Sequence, residues 1–542
     1  MRNSPVRLLA RLAKALLLTP GLAAVSGAAA QTNTVEQWDI YTISMRGPTN
    51  GNPFLDVRLS AAFSDGSKTV EAPGFYDGGG IYRVRFMPDK PGAWRYETRA
   101  NRWPLTKRTG SFTVTPAKGD DHGPVRVHGT YHFAYADGTP FYPFGTTCYN
   151  WLQAPDDWQK QTLKTLAASP FNKLRFLVFP QDVDFKGAVP PTLFPFEGKP
   201  RSDWDYARFN PAFFRHLEKR VGQLRDLGIQ ADVILFNPYG KSWGFDTMDR
   251  ATDGRYVRYL VARLSAYRNV WWSLANEYDF LRTKTTADWD RYFQMVQRAD
   301  PYHHLRSVHN GYFIYDNSHP WVTHASIQNG SAVEDPGRAA LYRDVWRKPV
   351  VFDEVGYEGD EPFRWGDLTA QQMVHRIWCG IVAGTYVGHG ESYLNANDTW
   401  LSYGGVLRGQ SPPRIAFLRK ILESVPGCGL DPIDKYHNTN MGGTPGEYYL
   451  LYFGHQKPTA WPFALPREGL SNGMQFHVDV IDTWGMTVTP VKDLFIVKRK
   501  DQYTFEDQAG RTVALPGRAY MALRIRYAGG PKPRPVTIPI AP

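Results

Sequence analysis

From residue 142 to residue 388 short apolar runs alternate with amphipathic stretches, and no other feature of the 542-residue chain restricts its fold as much. The apolar runs cover residues 142–146, 174–179, 230–236, 270–274, 305–309, 321–325, 350–353 and 384–388. Between them, apolar side chains recur at three- and four-residue spacing, most clearly over 211–227, 255–267, 287–298 and 370–382, the pattern of helices with one buried face. Strands that are apolar on both faces must be covered by helices, and eight strand–helix repeats of this size predict a parallel (β/α)8 barrel. The surplus length lies mainly in residues 180–210, a segment after the second strand that is rich in proline and carries Phe185, Phe194, Phe196 and Trp204. It is too apolar for a solvated tether, so it is expected to fold over the face of the barrel where the strands end.

The flanks read differently. Over 35–118 apolar and polar residues alternate in runs such as Ile81-Tyr82-Arg83-Val84-Arg85-Phe86, broken by turn signals, which predicts a small antiparallel sandwich. A polar, glycine-bearing linker at 119–124 leads into the barrel, placed at 125–426. Period-two alternation returns from 427 to 530, a second small β-domain, and the proline-rich tail beyond it is expected to be extended. Residues 1–30 stand apart. Arg2, Arg7, Arg11 and Lys14 precede an apolar run that closes on Ala28-Ala29-Ala30, the pattern of a secretory signal peptide cleaved after Ala30, and it implies a periplasmic or secreted protein.

Several chemistries are disfavoured. The formal charge of +11 includes the four cations of that first segment, and the remaining basic residues are scattered among acidic ones, so nucleic acid is a poor partner. Past the N-terminus no apolar run reaches the roughly 18 residues of a membrane span. Cys148, Cys379 and Cys428 lack metal-ligand spacing and are expected as free thiols; His122, His128 and His132 are loosely spaced, so neither a metal nor a cofactor is expected. Gly78-Gly79-Gly80 reads as a hairpin tip, since no helix follows it as in a phosphate loop.

Two of the buried runs end in carboxylates. Val270-Trp271-Trp272-Ser273-Leu274-Ala275 leads into Asn276-Glu277, and Pro349-Val350-Val351-Phe352-Asp353 leads into Glu354. The two glutamates close the fourth and seventh strands and face each other across the barrel mouth. A single strand-end glutamate is readily explained as half of an ion pair. Two opposed ones fit glycoside hydrolysis, which needs one acid to protonate the leaving oxygen and one carboxylate to attack the anomeric carbon or activate water.

These residues resemble the retaining (β/α)8 glycoside hydrolase superfamily. The opening Gly138-Thr139-Pro140-Phe141-Tyr142-Pro143-Phe144-Gly145-Thr146-Thr147 with Trp151 is similar to the barrel start of its apiosidase-like group, and residues 80–86 with Pro91-Gly92-Ala93-Trp94 resemble the immunoglobulin-like domain often placed before such barrels. The resemblance implies Glu277 as acid/base, Glu354 as nucleophile, and Asn276 as the partner of the sugar 2-hydroxyl. It also marks a departure: many members carry a strand-six His-x-Tyr whose tyrosine holds the nucleophile, where this chain reads His324-Ala325-Ser326. Arg175, His309 and His324 are expected to point into the mouth, and Trp151 and Trp400 to offer faces for sugar stacking. His389 and Glu391 end strand eight, with Glu391 the rival carboxylate. The expected activity is an exported glycosidase acting on an oligo- or polysaccharide. A transglycosylase shares its covalent intermediate, and a glycan-binding protein on a degenerate barrel is the non-enzymatic alternative.

Overall fold

The computed structural model describes residues 33–182, 190–328, 330–362, 365–394, 399–435 and 438–534. Residues 1–30, where a signal peptide is expected, Phe185 and residues 535–542 lie outside the described residues. At the centre are eight short parallel strands: β1 (Gly145–Thr147), β2 (Lys173–Leu177), β3 (Gln230–Phe236), β4 (Val270–Ala275), β5 (Arg306–Ser307), β6 (Ala325–Gln328), β7 (Val350–Glu354) and β8 (Tyr386–Val387). β1 to β5 pair in sequence order, as do β6, β7 and β8. Single parallel bridges, His309 to Ser326 and Thr146 to His389, join the two sheets at both edges, so the strands follow one another around a ring. Apart from half-buried Gln328, their residues are buried.

Helices α1 (Asp156–Ala167), α2 (Pro211–Asp226), α3 (Arg250–Leu264), α4 (Thr286–Ala299), α5 (Pro336–Trp346), α6 (Ala370–Val382) and α7 (Ser411–Leu422) follow in the connections. Their starts are locally encoded: Thr285 with Asp288, and Thr369 with Gln372, form capping boxes, and Asn210 and Asp249 cap α2 and α3. The Asp249 cap explains why α3 begins five residues before its apolar periodicity becomes clear. The sixth strand differs from the sequence expectation, starting at Ala325 where the apolar run ends. Residues 321–324 belong to the long β5–β6 connection, where Trp321 stacks on His319 at 4.4 Å and donates to the Tyr315 hydroxyl at 3.0 Å. Its aromatic, β-branched composition imitates a strand, but its side chains are used within the loop. A hairpin, Val125–His128 with His132–Tyr135, packs at the opposite end of the ring, where the Phe133 ring meets Trp271, His324 and Tyr386.

The N-terminal domain is a seven-stranded sheet around Phe63, Phe86, Trp94 and Phe112. Its strand Thr69–Tyr76 pairs first with Leu59–Ser64 and then, from Gly74 on, with Ile81–Phe86. Gly74 permits the change of partner, because a Cβ there would stand 2.5 Å from Leu59. The C-terminal domain is built on a nine-stranded sheet with its own apolar core. All three cysteines are free thiols.

A buried ionic cluster joins the N-terminal domain to the ring. Glu218 on α2 accepts from Arg85 at 2.6 and 2.9 Å and from Arg263 on α3 at 2.5 Å, and Arg263 also donates to Asp77 at 2.9 Å. Arg263 is fully buried and Glu218 nearly so. Removing one partner leaves uncompensated charge in a dry site, which costs about 3–5 kcal/mol. Glu218→Ala is therefore expected to lower the thermal midpoint strongly and to expose the junction between the N-terminal domain and the ring to limited proteolysis, as measured by calorimetry and peptide mapping.

Candidate active site

The candidate site is built from the C-terminal ends of the ring strands. Beneath it lies a layer of charge inside the ring: the Lys173 ammonium donates to Asp232 at 2.6 Å and Asp353 at 2.7 Å, and Arg175 lies two residues further along β2. All four are at most 3% exposed. Against the cost of burial, Lys173 and Arg175 hold Asp353 well below the usual carboxylate range. Asp353 also accepts from the Ser326 hydroxyl at 2.5 Å, and Ser326 meets His309 Nδ1 at 3.0 Å.

Glu354 follows Asp353 and turns into the mouth. Tyr149 donates to its Oε1 and Tyr357 to its Oε2, the latter at 2.5 Å. The Arg175 guanidinium is 3.5 Å from Oε1 and His309 Nε2 3.4 Å from the same oxygen. Burial pushes the Glu354 carboxyl up to about 7, with the Tyr357 hydrogen bond pulling the other way. Burial also keeps His309 far below its usual value, so this imidazole is neutral.

Across the mouth, Asn276 and Glu277 follow β4. Asn276 Oδ1 accepts from Tyr149 and from Arg175, each at 3.2 Å. Glu277 adopts φ 46° and ψ 55°, the left-handed region that a residue with a Cβ rarely occupies. Such strain concentrates where a side chain must be aimed. Here it turns the chain out of the strand into a short helical turn, anchored by the Tyr278 N–H on the His309 carbonyl at 3.0 Å. Tyr239 donates to Glu277 Oε2. Burial lifts the Glu277 carboxyl to about 7; a hydrogen bond from Gln328 lowers it and the neighbouring Asp279 raises it.

Known proteins supply the context. A family model described as the apiosidase-like catalytic domain matches residues 128–395, and models for two domains of unknown function, DUF5060 and DUF5605, match 34–101 and 437–526. A crystal structure of a Bacteroides vulgatus ATCC 8482 protein classed with the glycoside hydrolases is 42% identical, with a TM-score of 0.88 over 91% of this chain and all of that one. The chain belongs to the apiosidase-like glycoside hydrolases. A glycoside hydrolase family 5 structure from the same organism, 14% identical over 75% of this chain and 93% of its own, shares the fold at a TM-score of 0.53. No protein of curated function matches.

Of the residues expected at this glycoside hydrolase's mouth, Glu277, Glu354, Asn276, Arg175 and His309 converge. Five others are placed elsewhere. His324 precedes β6 and lies at the opposite end of the ring, edge-on to Trp271 and Phe133, where burial takes its pKa down to about 3. Trp151 is fully buried against Phe176 and donates to the Gln159 carbonyl, and Trp400 is buried with its indole N–H on Thr146. Neither has a face for a sugar. His389 stacks on Phe171 and bonds Thr146, outside the cluster around the two glutamates. Glu391 accepts the backbone N–H groups of Arg408 and Gly409 at 2.6 and 2.9 Å and is not among the groups that touch Glu277 or Glu354.

The tyrosine missing from strand six is replaced. Tyr149, after β1, and Tyr357, three residues beyond Glu354, both donate to the carboxylate. Like Tyr239 and Gln328, they carry no short motif that links them to their partners; the i, i+3 spacing of Glu354 and Tyr357 is the one local signal. The 180–210 segment forms a hairpin, Phe196–Lys199 with Asp203–Phe209. It packs through Phe194 and Trp204 on Trp243 and Phe245 in the connection after β3, at the rim of the mouth.

A glutamate that ionises near 4.5 when unfolded and about 7 when folded holds its proton longer in the native state, so stability falls as pH rises through that window. Glu277→Gln is therefore expected to raise the free energy of unfolding at pH 8 by an amount on the order of 1–3 kcal/mol, seen as a higher thermal midpoint, and to leave both unchanged at pH 4. Calorimetry at both pH values checks this.

Proposed function

We propose that this glycoside hydrolase is a retaining enzyme that cleaves an oligo- or polysaccharide by double displacement, with Glu354 as nucleophile and Glu277 as acid/base. The observation that carries this reading is the asymmetry of the pair. Glu354 accepts from two tyrosine hydroxyls and lies beside a guanidinium, surroundings that suit a carboxylate. Glu277 has Asp279 nearby, which favours its protonated form, and Tyr239 as its hydrogen-bond donor. In the first step the Glu354 carboxylate bonds to the anomeric carbon while the glycosidic C–O bond breaks and Glu277 passes its proton to the leaving oxygen. In the second, Glu277 as carboxylate removes a proton from water, whose oxygen displaces Glu354 and releases the sugar. A sugar hydroxyl in place of water would give transglycosylation. With Asn276 Oδ1 taken by Tyr149 and Arg175, its amide nitrogen is left to donate to the 2-hydroxyl.

On this reading the ring is a (β/α)8 barrel over residues 125–426, the N-terminal sheet at 35–118 is an immunoglobulin-like domain and residues 427–530 are a second β-domain. Residues 1–30 direct export to the periplasm or beyond.

Aromatic side chains flank Glu277. Tyr239 and Phe280 are 40% and 36% exposed, Tyr312 76% and Phe313 60%. Their loop is pinned: the Asp279 carboxylate accepts the N–H groups of Gly311, Tyr312 and Phe313 at 2.6, 2.8 and 2.8 Å. A fixed aromatic patch beside the acid suits the stacking of leaving-group sugars. The double change Tyr312→Ala, Phe313→Ala should raise KM for a long glycan about tenfold, while kcat changes little.

Turnover tests the assigned roles. Glu354→Gln should abolish turnover on every substrate. Glu277→Ala should still be glycosylated by substrates with good leaving groups, accumulate the intermediate on Glu354 by mass spectrometry, and be rescued by azide. Azide rescue of Glu354→Gln to the retained anomer, or wild-type rates in both variants, would contradict the assignment.

A further inference from the structure

A second cluster of acid and imidazole groups lies behind the mouth, between the chain that leaves β7 and the chain that leaves β8. Glu358–Gly359 pairs in parallel with Glu391–Ser392, which brings two carboxylates side by side, and His389 stands two residues before Glu391. One donor atom from each of Glu358, His389 and Glu391 lies within 4.8 Å of the other two. The three side chains are 0%, 2% and 1% exposed. Among the described residues neither carboxylate is in an ion pair, and Arg408 is the cation that acts on Glu391 from longer range. We propose that Glu358, His389 and Glu391 bind a divalent transition-metal ion of the zinc class.

Three observations support the site. First, His389 is half-engaged: Nδ1 meets the Thr146 hydroxyl oxygen at 3.0 Å, and the buried Nε2 has no partner. An imidazole fixed through one nitrogen, with the other bare, is how ligand histidines are held. Thr146 is itself fixed by the Trp400 indole N–H at 2.8 Å. Second, the carboxylates are aimed by the backbone. Glu391 accepts from the N–H groups of Arg408 and Gly409, and Glu358 from those of Gln410 and Ser411 at 2.7 and 3.1 Å and from the Ser411 hydroxyl at 2.5 Å. These donors orient the oxygens but carry only partial charge, and two adjacent carboxylates out of water call for a cation. Third, the chain closes over the pair: a Cβ on Gly409 would stand 2.5 Å from Glu358 Oε2 and 2.7 Å from Glu391 Oε2, so both oxygens border one small space.

The donor set selects the ion. One imidazole nitrogen and two carboxylate oxygens, with a water as fourth ligand, suit tetrahedral zinc, whereas calcium requires six to eight oxygens. The ion would act on the reaction by position. Tyr357, which donates to Glu354, precedes Glu358, and its ring fills the place of a Cβ on Gly390, 2.0 Å away. Fixing Glu358 and Glu391 fixes the wall behind that tyrosine.

The site does not depend on the roles of Glu277 and Glu354, and its test needs no substrate. Untagged protein is purified without chelator and its metal content is measured by mass spectrometry before and after dialysis against EDTA. Zinc, manganese and calcium salts are then titrated separately by calorimetry, and thermal midpoints are recorded with and without zinc. The proposal expects about one equivalent of zinc per chain, a midpoint lowered by several degrees after EDTA and restored by zinc, and loss of zinc binding in both Glu391→Gln and His389→Gln. Failure of the native protein to bind zinc or manganese would overturn it, as would binding of calcium alone, or a folded Glu391→Gln that takes up zinc as well as the native chain. Should both variants fail to fold, the native stoichiometry and the EDTA shift decide.

Discussion

An ammonium group sealed inside the ring sets the geometry of everything above it. Lys173 bridges Asp232 on β3 and Asp353 on β7, strands that are not neighbours, and so fixes their heights across the ring interior. Asp353 passes the constraint on through Ser326 to His309, and Glu354 follows Asp353 directly in the chain. Two cations, Lys173 and Arg175, face two carboxylates at this level. A buried arrangement of this kind adds little net stability over an apolar core, but its loss leaves charge stranded, so it specifies one geometry sharply. A ring interior packed only with valine and leucine would allow small shifts between strands; a buried network of paired charges penalises them.

That rigidity gives the two glutamates different surroundings. Glu354 emerges beside the cation of the charge layer and under two tyrosine hydroxyls, from the first and seventh strand ends. Glu277 emerges from a strained backbone turn with Tyr239 as its hydrogen-bond donor and a carboxylate two residues away. Both carboxyls are lifted by burial, but only Glu354 has a guanidinium beside it at 3.5 Å. The proposed proton donor and nucleophile thus sit in different surroundings, as two carboxyls doing opposite work must.

Much of this was legible in the sequence. Strand-end glutamates stand out because a buried apolar run that closes on a carboxylate has few structural explanations, and helix α6 was readable to both ends because its apolar residues keep three- and four-residue spacing from 370 to 382. What was not legible depended on direction and on distance in space. The apolar run at 321–325 points His324 to the mouth, but the strand itself starts at Ala325, four residues later, which places the histidine at the far end, against Phe133. Trp151 and Trp400 are aromatic residues near strand ends, but composition does not say whether a ring faces solvent, and both fill the core. Tyr149 contacts Glu354 across 205 positions of chain, a pairing only the closed ring creates. The Glu358–His389–Glu391 cluster escaped for the same reason: His389 and Glu391 were seen as site candidates, but Glu358 joins them only through the pairing of two loops.

The account predicts a stereochemical outcome, and this is its most direct test. Once a panel of plant and bacterial polysaccharides has identified a substrate, proton NMR of the earliest product, recorded before mutarotation, gives the configuration of the newly released anomeric centre. Two displacements at that carbon, the first by Glu354, require the configuration of the cleaved bond to be retained. Release of the opposite anomer would mean a single displacement by water, and Glu354 could not be the nucleophile.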